Sequence, residues 1–335
     1  MQVGLDLYTI RELELTPSQT LEFLKSWDFE GATFGGLEGI SKTLDATELR
    51  EFCAEADGLG LYTQVSVPTC NPYLVVGSLD EHAARLQNTI ELAAACGWHE
   101  LHSSLGGIAE RYEHPVPWTR HLAEAADLIR RLGPVLRQHN SRINLETHGD
   151  TTTFELVRLI EEVGPDIAGI CLDTANVLCH AEDPVQAARR AAPYTHMTHT
   201  KDAVIFLTES GYTRQTLPIG KGALDFKNIL LALGQYSPDL PLSIEDHKGL
   251  YDFALFDPDW QRLHPDLTRE ELAAVVRLAW KCQQLLASGD LLQPEEYEKI
   301  PFLQECEERL AAGRDYLKGL LKTLGLHEAA EDPPA

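Results

Sequence analysis

Ile143-Asn-Leu-Glu-Thr-His-Gly-Asp150 is the stretch whose reading decides the fold. It reads as a short apolar strand that opens on Glu146 and His148. Three later stretches repeat the form: Ile170-Cys-Leu-Asp-Thr-Ala-Asn176, Thr195-His-Met-Thr-His-Thr-Lys-Asp202 and Leu242-Ser-Ile-Glu-Asp-His247. Each ends in a side chain of metal-ligand type, namely Glu146, Asp173, His199 and Glu245, at separations of 27, 26 and 46 residues. A strand, a helix and two loops take roughly 25 to 35 residues, so the first two separations are one βα unit each. The third is one unit plus an insertion of about 20 residues. Ligands at the C-terminal ends of successive parallel strands meet at one point only if the strands are neighbours or the sheet closes.

Outward from that stretch, the rest of the chain supplies the remaining units. Strands are expected at Val3–Leu7, Phe29–Phe34, Leu61–Val67, Glu100–Ser104, Arg142–Glu146, Asp166–Asp173, Thr195–His199 and Leu240–Glu245. Amphipathic helices alternate with them, opened by signals such as Thr16-Pro17, Asp45-Ala-Thr-Glu48 and Asp183-Pro184, the last of them over Arg269–Ala287. Long loops are expected over 203–222 and 246–268. Strict alternation of eight strands with eight helices argues for a closed α/β (β/α)8 TIM barrel over an open doubly wound sheet. The barrel is assigned to residues 1–287, a C-terminal helical extension to 288–327, and a disordered acidic tail to 328–335. In the extension Leu303, Cys306, Leu310, Leu317, Leu320, Leu321 and Leu324 share one helical side. That stripe must cover either the barrel itself or a second subunit, and a homo-oligomer is expected.

Composition narrows the partners. The 335 residues carry a net charge of −24, with 44% hydrophobic residues. Nucleic-acid binding begins with neutralising phosphates, so no nucleic acid is expected, and an anionic membrane is equally disfavoured. No apolar run approaches 18 residues, so no membrane span is expected. The seven cysteines contain no CxxC, and Cys53, Cys96, Cys282 and Cys306 lie in apolar helical patterns. Reduced thiols in a cytoplasmic protein fit that usage.

Residues i and i+2 of a strand share a face. A lower tier of Glu146, Asp173, His199 and Glu245 therefore implies an upper tier of His148, Lys201 and His247. His196 falls on the opposite face from His199 and reads as a packing residue. His102, at the end of strand four, and Arg214, in the insertion, are candidate substrate contacts. One Glu at a strand end is ordinarily a solvated loop residue, but four ligand types at barrel spacing form a set. Three carboxylates and one imidazole suit a hard divalent ion in six-coordination, Mn²⁺ first, with Mg²⁺, Co²⁺ or Zn²⁺ as alternatives. Two positions then remain for substrate oxygens. An ion chelating a carbonyl and the adjacent hydroxyl acidifies the carbon between them and stabilises an enediolate.

Glu146-Thr-His, Cys171-Leu-Asp-Thr-Ala-Asn, His199-Thr-Lys-Asp and Ile244-Glu-Asp-His together resemble the xylose isomerase-like TIM-barrel superfamily, the sugar phosphate isomerases/epimerases. The Leu217-Pro-Ile-Gly-Lys-Gly222 turn is similar to that family's Gly-x-Gly turn, and the resemblance covers roughly residues 1 to 285. Its members include ketose 3-epimerases, hydroxypyruvate isomerases, dehydratases, C-glycoside-cleaving subunits, oxo-sugar-acid decarboxylases and an abasic-site endonuclease. By the resemblance Glu146, Asp173, His199 and Glu245 would bind one divalent metal, and Glu146 and Glu245 would also be the catalytic acid/base pair. Several members carry His where this chain has Asn176. Asn is a poor ligand but can bind a hydroxyl, which argues against a multinuclear zinc site and against the endonuclease. The activity expected is a metal-dependent sugar isomerase or epimerase. The alternatives are a lyase or decarboxylase of an oxo-sugar acid or 3-oxo-glycoside, and a non-catalytic sugar-binding or supporting subunit.

Overall fold

The computed structural model describes residues 1–326. The acidic tail expected at 328–335, and the last residue of the expected extension, lie outside the described residues. Eight parallel strands close into a barrel: β1 (Gln2–Asp6), β2 (Gly31–Phe34), β3 (Tyr62–Ser66), β4 (Glu100–Ser103), β5 (Arg142–Glu146), β6 (Ala168–Asp173), β7 (Thr195–Thr200) and β10 (Pro241–Ile244). Round the ring the order is β1-β10-β7-β6-β5-β4-β3-β2, so β10 closes on β1 with Gln2 opposite Pro241 and Leu5 opposite Ile244. The helices start where the sequence signals them. Thr16, Ser78 and Thr152 each cap a helix, and their own backbone N–H groups donate back to the side chains of Gln19, Glu81 and Glu155. Asp45 caps its helix through the Thr47 and Glu48 backbone, but Glu48 accepts from Ser41 and closes no box.

The barrel floor is polar and tightly filled. The Tyr62 ring lies across it against Gly4 and Gly31, where neither position has room for a side-chain carbon. Its hydroxyl meets Ser243, which also bonds Thr33. Above this floor Val3, Leu5, Ala32, Val65, Leu101, Ile143, Leu145, Ile170 and Leu242 join the continuous core between barrel and helices.

Two stretches expected as loops instead build a second sheet. β8 (Asp202–Leu207) and β9 (Tyr212–Leu217) form an antiparallel hairpin, and β11 (Leu250–Phe253) pairs with β9. Helix Arg269–Ser288, read from the sequence as the eighth helix of the ring, packs on this sheet. Its Cys282 and Leu278 lie against Val204, Phe206 and Leu217. Its periodicity announces an apolar face without saying which sheet that face will cover.

Helix Phe302–Leu324 takes the ring position beside β1 and helix Phe226–Gly234. Cys306, Leu310, Leu317 and Leu321 are buried there, so the apolar stripe covers its own barrel. Arg314 and Lys318 donate to the carbonyls of Trp27 and Asp28, each at 2.6 Å, just past helix Pro17–Ser26. Arg309 forms a buried ion pair with Asp246 (Nε to Oδ2, 2.8 Å).

The turn that follows the hairpin is folded round one carboxylate. Buried Asp202 accepts the backbone N–H groups of Ala203, Gly220, Gly222 and Leu224. An amide in its place turns an NH2 toward part of this donor set. Asp202→Asn is expected to cost about 2–3 kcal/mol of stability, the order for buried donors left unpaired. A denaturant midpoint unchanged by the substitution would show that the turn is held by other contacts.

Candidate metal centre

Four neighbouring strands of the ring, β5, β6, β7 and β10, deliver Glu146, Asp173, His199 and Glu245. Asp173 and His199 are register partners, whereas Glu146 lies opposite Cys171 and His199 opposite Ser243. The stagger of a closed barrel shifts the strands along one another, so side chains at unequal register levels still meet. One ligating atom from each of the four lies within 4.8 Å of the others, and all four residues are buried.

These atoms do not satisfy one another. His199 Nδ1 is 3.0 Å from Glu146 Oε1 and 3.1 Å from Glu245 Oε2. Neither contact has hydrogen-bond geometry, and Nδ1, both carboxylate oxygens and Asp173 Oδ2 are left without a hydrogen-bond partner. Lone pairs aimed at a common centre are what a cation requires. An octahedron with bonds of about 2.1 Å has edges of about 3.0 Å. A tetrahedron of the same bond length has edges of about 3.4 Å. The two separations lie close to the octahedral edge, and the four residues form a set that could hold a metal ion.

Asp173 and Glu146 are hydrogen-bonded from behind, and charged groups surround all four. Asp173 Oδ1 accepts from Ala175 N (2.9 Å) and Asn176 N (2.8 Å), which turns Oδ2 toward the centre. Asp6, at the end of β1, brings Oδ2 to 3.4 Å from His199 Nε2. Glu146 Oε2 accepts from His102 Nε2 (2.9 Å), whose Nδ1 lies 2.7 Å from Ser66 Oγ. With Nε2 protonated toward the carboxylate, Nδ1 is the acceptor and Ser66 donates. Lys201 Nζ lies 2.8 Å from Asp173 Oδ2 and 3.1 Å from Glu245 Oε2. Burial works against ionising Glu245, but Lys201 and His199 hold its carboxyl below the usual range. Burial raises the Asp173 carboxyl, and Lys201 only partly offsets this. Burial likewise opposes charge on His199, yet Cys171, Glu146, Asp6 and Glu245 raise it well above an ordinary imidazole.

Threonines fasten the strand ends. Thr147 Oγ1 accepts from Asp173 N (2.9 Å) and donates to Asp173 O (3.3 Å). Thr174 makes the same pair of bonds with Lys201, at 2.9 and 2.6 Å. Thr9 accepts from Asp246 N and donates to Ile244 O, both at 3.0 Å. Each hydroxyl bridges adjacent strands where the backbone ladder gives out, one residue after a ligand in two of the three cases.

The centre opens into a cavity of about 760 Å³. All the other candidates from the sequence line it. His148 is exposed on its wall, with Nδ1 donating to Gly106 O at 2.8 Å. Asn176 Oδ1 accepts from Arg214 Nη1 at 2.6 Å. His247 donates from Nδ1 to Lys248 O (3.0 Å), which points Nε2 at Glu245 Oε1, 3.7 Å away. Burial, followed by nearby Lys201, lowers the His247 imidazole to about 4, so it is neutral near pH 7. The two-tier expectation needs one correction: Lys201 folds its long chain back among the ligands instead of standing above them. His196 lies against Gly169, away from the ligand cluster, as its strand face requires. Sequence reasoning missed Asp6 and Ser66, both polar residues at the ends of strands and detectable by the rule that found Glu146. It also missed Tyr8 and Tyr251 at the mouth, which arrive on a 3-10 turn and on the unforeseen sheet.

The family model for the xylose isomerase-like TIM barrel matches residues 21–278. A stretch of 105 residues, 31% of this chain and 38% of the relative, is 29% identical to 3-oxo-isoapionate decarboxylase of Pectobacterium atrosepticum. The aligned stretches span only 30% and 38% of the two curated relatives matched. Among solved structures, an L-ribulose 3-epimerase superposes with a TM-score of 0.61 at 17% identity, covering 99% of both chains. The IolI protein, whose crystal structure holds a zinc atom, superposes with a TM-score of 0.56 at 14% identity, covering 83% of this chain and 96% of its own.

The threonine bridges yield a prediction. Thr174→Val keeps every ligand but frees the end of β6 from Lys201. Mn²⁺ affinity, followed by electron paramagnetic resonance, is expected to fall about tenfold, the lower end for partners that orient ligands. Affinity equal to that of the parent would mean that the ligands are positioned without this bridge.

Proposed function

Because the chain belongs to the xylose isomerase-like TIM barrel family, we propose that it is a divalent-metal-dependent isomerase or epimerase of a small keto-sugar. Manganese is the ion of choice, Glu146, Asp173, His199 and Glu245 are its ligands, and Glu146 and Glu245 are the acid/base pair. The observation that carries this reading is how these two glutamates divide their oxygens. Glu146 Oε1 and Glu245 Oε2 face the cation site, while Glu146 Oε2 meets His102 and Glu245 Oε1 faces His247. Each carboxylate thus has an imidazole of its own through which to exchange a proton, and the two approach the centre from the two ends of the four-strand arc.

A divalent cation in the site would draw charge from a substrate carbonyl and its neighbouring hydroxyl, acidifying the carbon between them. One glutamate takes the proton from that carbon, and the other returns a proton to the opposite face. His102 and His247 move protons to and from the outer oxygens. Lys201, already among the carboxylates, limits the repulsion between them and lies near the oxygen on which negative charge grows. His148 and Asn176 offer polar contacts to the remaining hydroxyls.

A second reading keeps the site and changes the outcome. The similarity to a 3-oxo-isoapionate decarboxylase supports a lyase or decarboxylase of an oxo-sugar acid: loss of CO₂ replaces the first proton removal in a decarboxylase, and departure of a β-oxygen leaving group from the enolate replaces the return of the proton in a lyase. A supporting, non-catalytic role has less in its favour, because ligands with unpaired donor atoms and paired acid/base histidines serve no purpose in a scaffold.

The metal-loaded protein in deuterated water is expected to place deuterium on one carbon of a recovered keto-sugar without net loss of mass. Release of CO₂ or of an aglycone would favour the second reading. Glu146→Gln and Glu245→Gln are each expected to lower turnover by about 10²- to 10⁴-fold, the usual contribution of a general acid or base. Turnover that survives both substitutions would refute the assignment. Prolonged chelation should abolish activity, and Mn²⁺ should restore it.

A further inference from the structure

Arg214 stands apart from the charge balance of the site. It projects from β9 into the cavity and is 2% exposed. Its Nη1 is committed to Asn176 Oδ1 at 2.6 Å, and its guanidinium lies over the ring of Tyr251, directly opposite on β11, with 4.9 Å to the centroid. No carboxylate among the described residues pairs with it, and its buried Nε has no hydrogen-bond partner. Lys201, deeper in the cavity, is engaged by Asp173 and Glu245.

A buried guanidinium without an anion is costly, and chains retain one where a ligand supplies the missing charge. The free donor is the informative part. Nη1 is held by Asn176 and Nε is buried, which leaves Nη2 as the charged N–H group open to an oxygen of a carboxylate or phosphate. The ring of Tyr251 and the side-chain amide of Asn176 keep the guanidinium from rotating, so little ordering is left for the ligand to impose.

We propose that Arg214 is an anion anchor and that the substrate is an acidic sugar, a keto-sugar acid or its phosphate ester, in preference to a neutral ketose. This rests on the proposed function for the identity of the sugar end, which sits at the cation site, while the charged substituent lies on Arg214. The hairpin β8–β9 and its partner β11 therefore act as the specificity-determining wall of the cavity.

The test uses the full chain loaded with Mn²⁺ and matched ligands that differ only in charge. D-fructose is compared with 2-keto-D-gluconate, L-sorbose with 2-keto-L-gulonate, and D-fructose with its 6-phosphate, by calorimetric titration. At least one acidic form is expected to bind ten- to a hundredfold more tightly than its neutral counterpart, about the range for a charge-assisted hydrogen bond. Arg214→Met should erase that preference and Arg214→Lys should restore only part of it. A preference confined to the keto-acids identifies the anion as a carboxylate, and one confined to the 6-phosphate identifies it as a phosphate. Thermal unfolding separates anchoring from a structural role: Arg214→Met should keep or raise the melting temperature, because it removes a buried charge with no partner. Absence of an Arg214-dependent preference in every pair, or a melting temperature that falls with the substitution, overturns the proposal. Deuterium exchange into neutral ketoses as fast as into their acidic counterparts, in the parent and in Arg214→Met alike, would overturn it while leaving the isomerase reading intact. A preference for acids with no exchange or turnover of any sugar would sink that reading and leave the anchor standing.

Discussion

Everything in this molecule is arranged around an electrostatic debt: three carboxylates and an imidazole are buried together with one lysine among them. Carboxylates a few ångströms apart in a poorly hydrated site repel one another strongly, and a single lysine cannot cancel three of them. The fold accepts this only because the strands carrying the four side chains are adjacent, closed and stagger-matched. The threonine bridges, the Asp6 contact with His199 and the backbone bonds to Asp173 are the means by which the repulsive arrangement is held while it waits for positive charge. They also explain why Thr follows both Glu146 and Asp173 in the sequence: its hydroxyl reaches the next strand where a nonpolar β-branched residue would leave an N–H without a partner.

Much of this was legible beforehand, for a definite reason. Barrel strands end at their functional face, so a ligand type at the last position of an apolar run carries information that the same residue elsewhere does not. Glu146, Asp173, His199 and Glu245 were found by that rule, and the two-residue periodicity then brought His148 and His247 to the same cavity. Lys201 obeyed the periodicity at its backbone and escaped it at its ammonium group, because four methylenes let the charge seek the carboxylates below. Asp6 and Ser66 satisfied the rule without standing out, since each is a common residue near a common turn.

The antiparallel sheet was not legible, and neither was the exchange of roles between the last two long helices. Asp202–Leu207 and Tyr212–Leu217 are short, and pairing with Leu250–Phe253 requires contact across more than thirty residues. Local pattern shows that a segment is amphipathic and leaves its partner open. Helix Arg269–Ser288 arrived in the right place in sequence to complete the ring, but the hairpin offered a nearer apolar face, and the ring was completed by helix Phe302–Leu324 instead.

That late completion bears on how the chain reaches its native state. β1 has β2 on one side from early on, but its other side waits for β10, some 240 positions further along, and for the helix beyond it. Until then the first strand is an unpaired sheet edge with Val3 and Leu5 on one face, the kind of template on which chains stick to one another. The α-amino group of Met1 donates to the carbonyls of Pro238 and Leu326, at 2.7 and 2.8 Å, so the first residue and the end of the described chain are tied together. Slow, aggregation-prone refolding from denaturant, relieved by dilution or a chaperone, is the behaviour such long-range closure imposes.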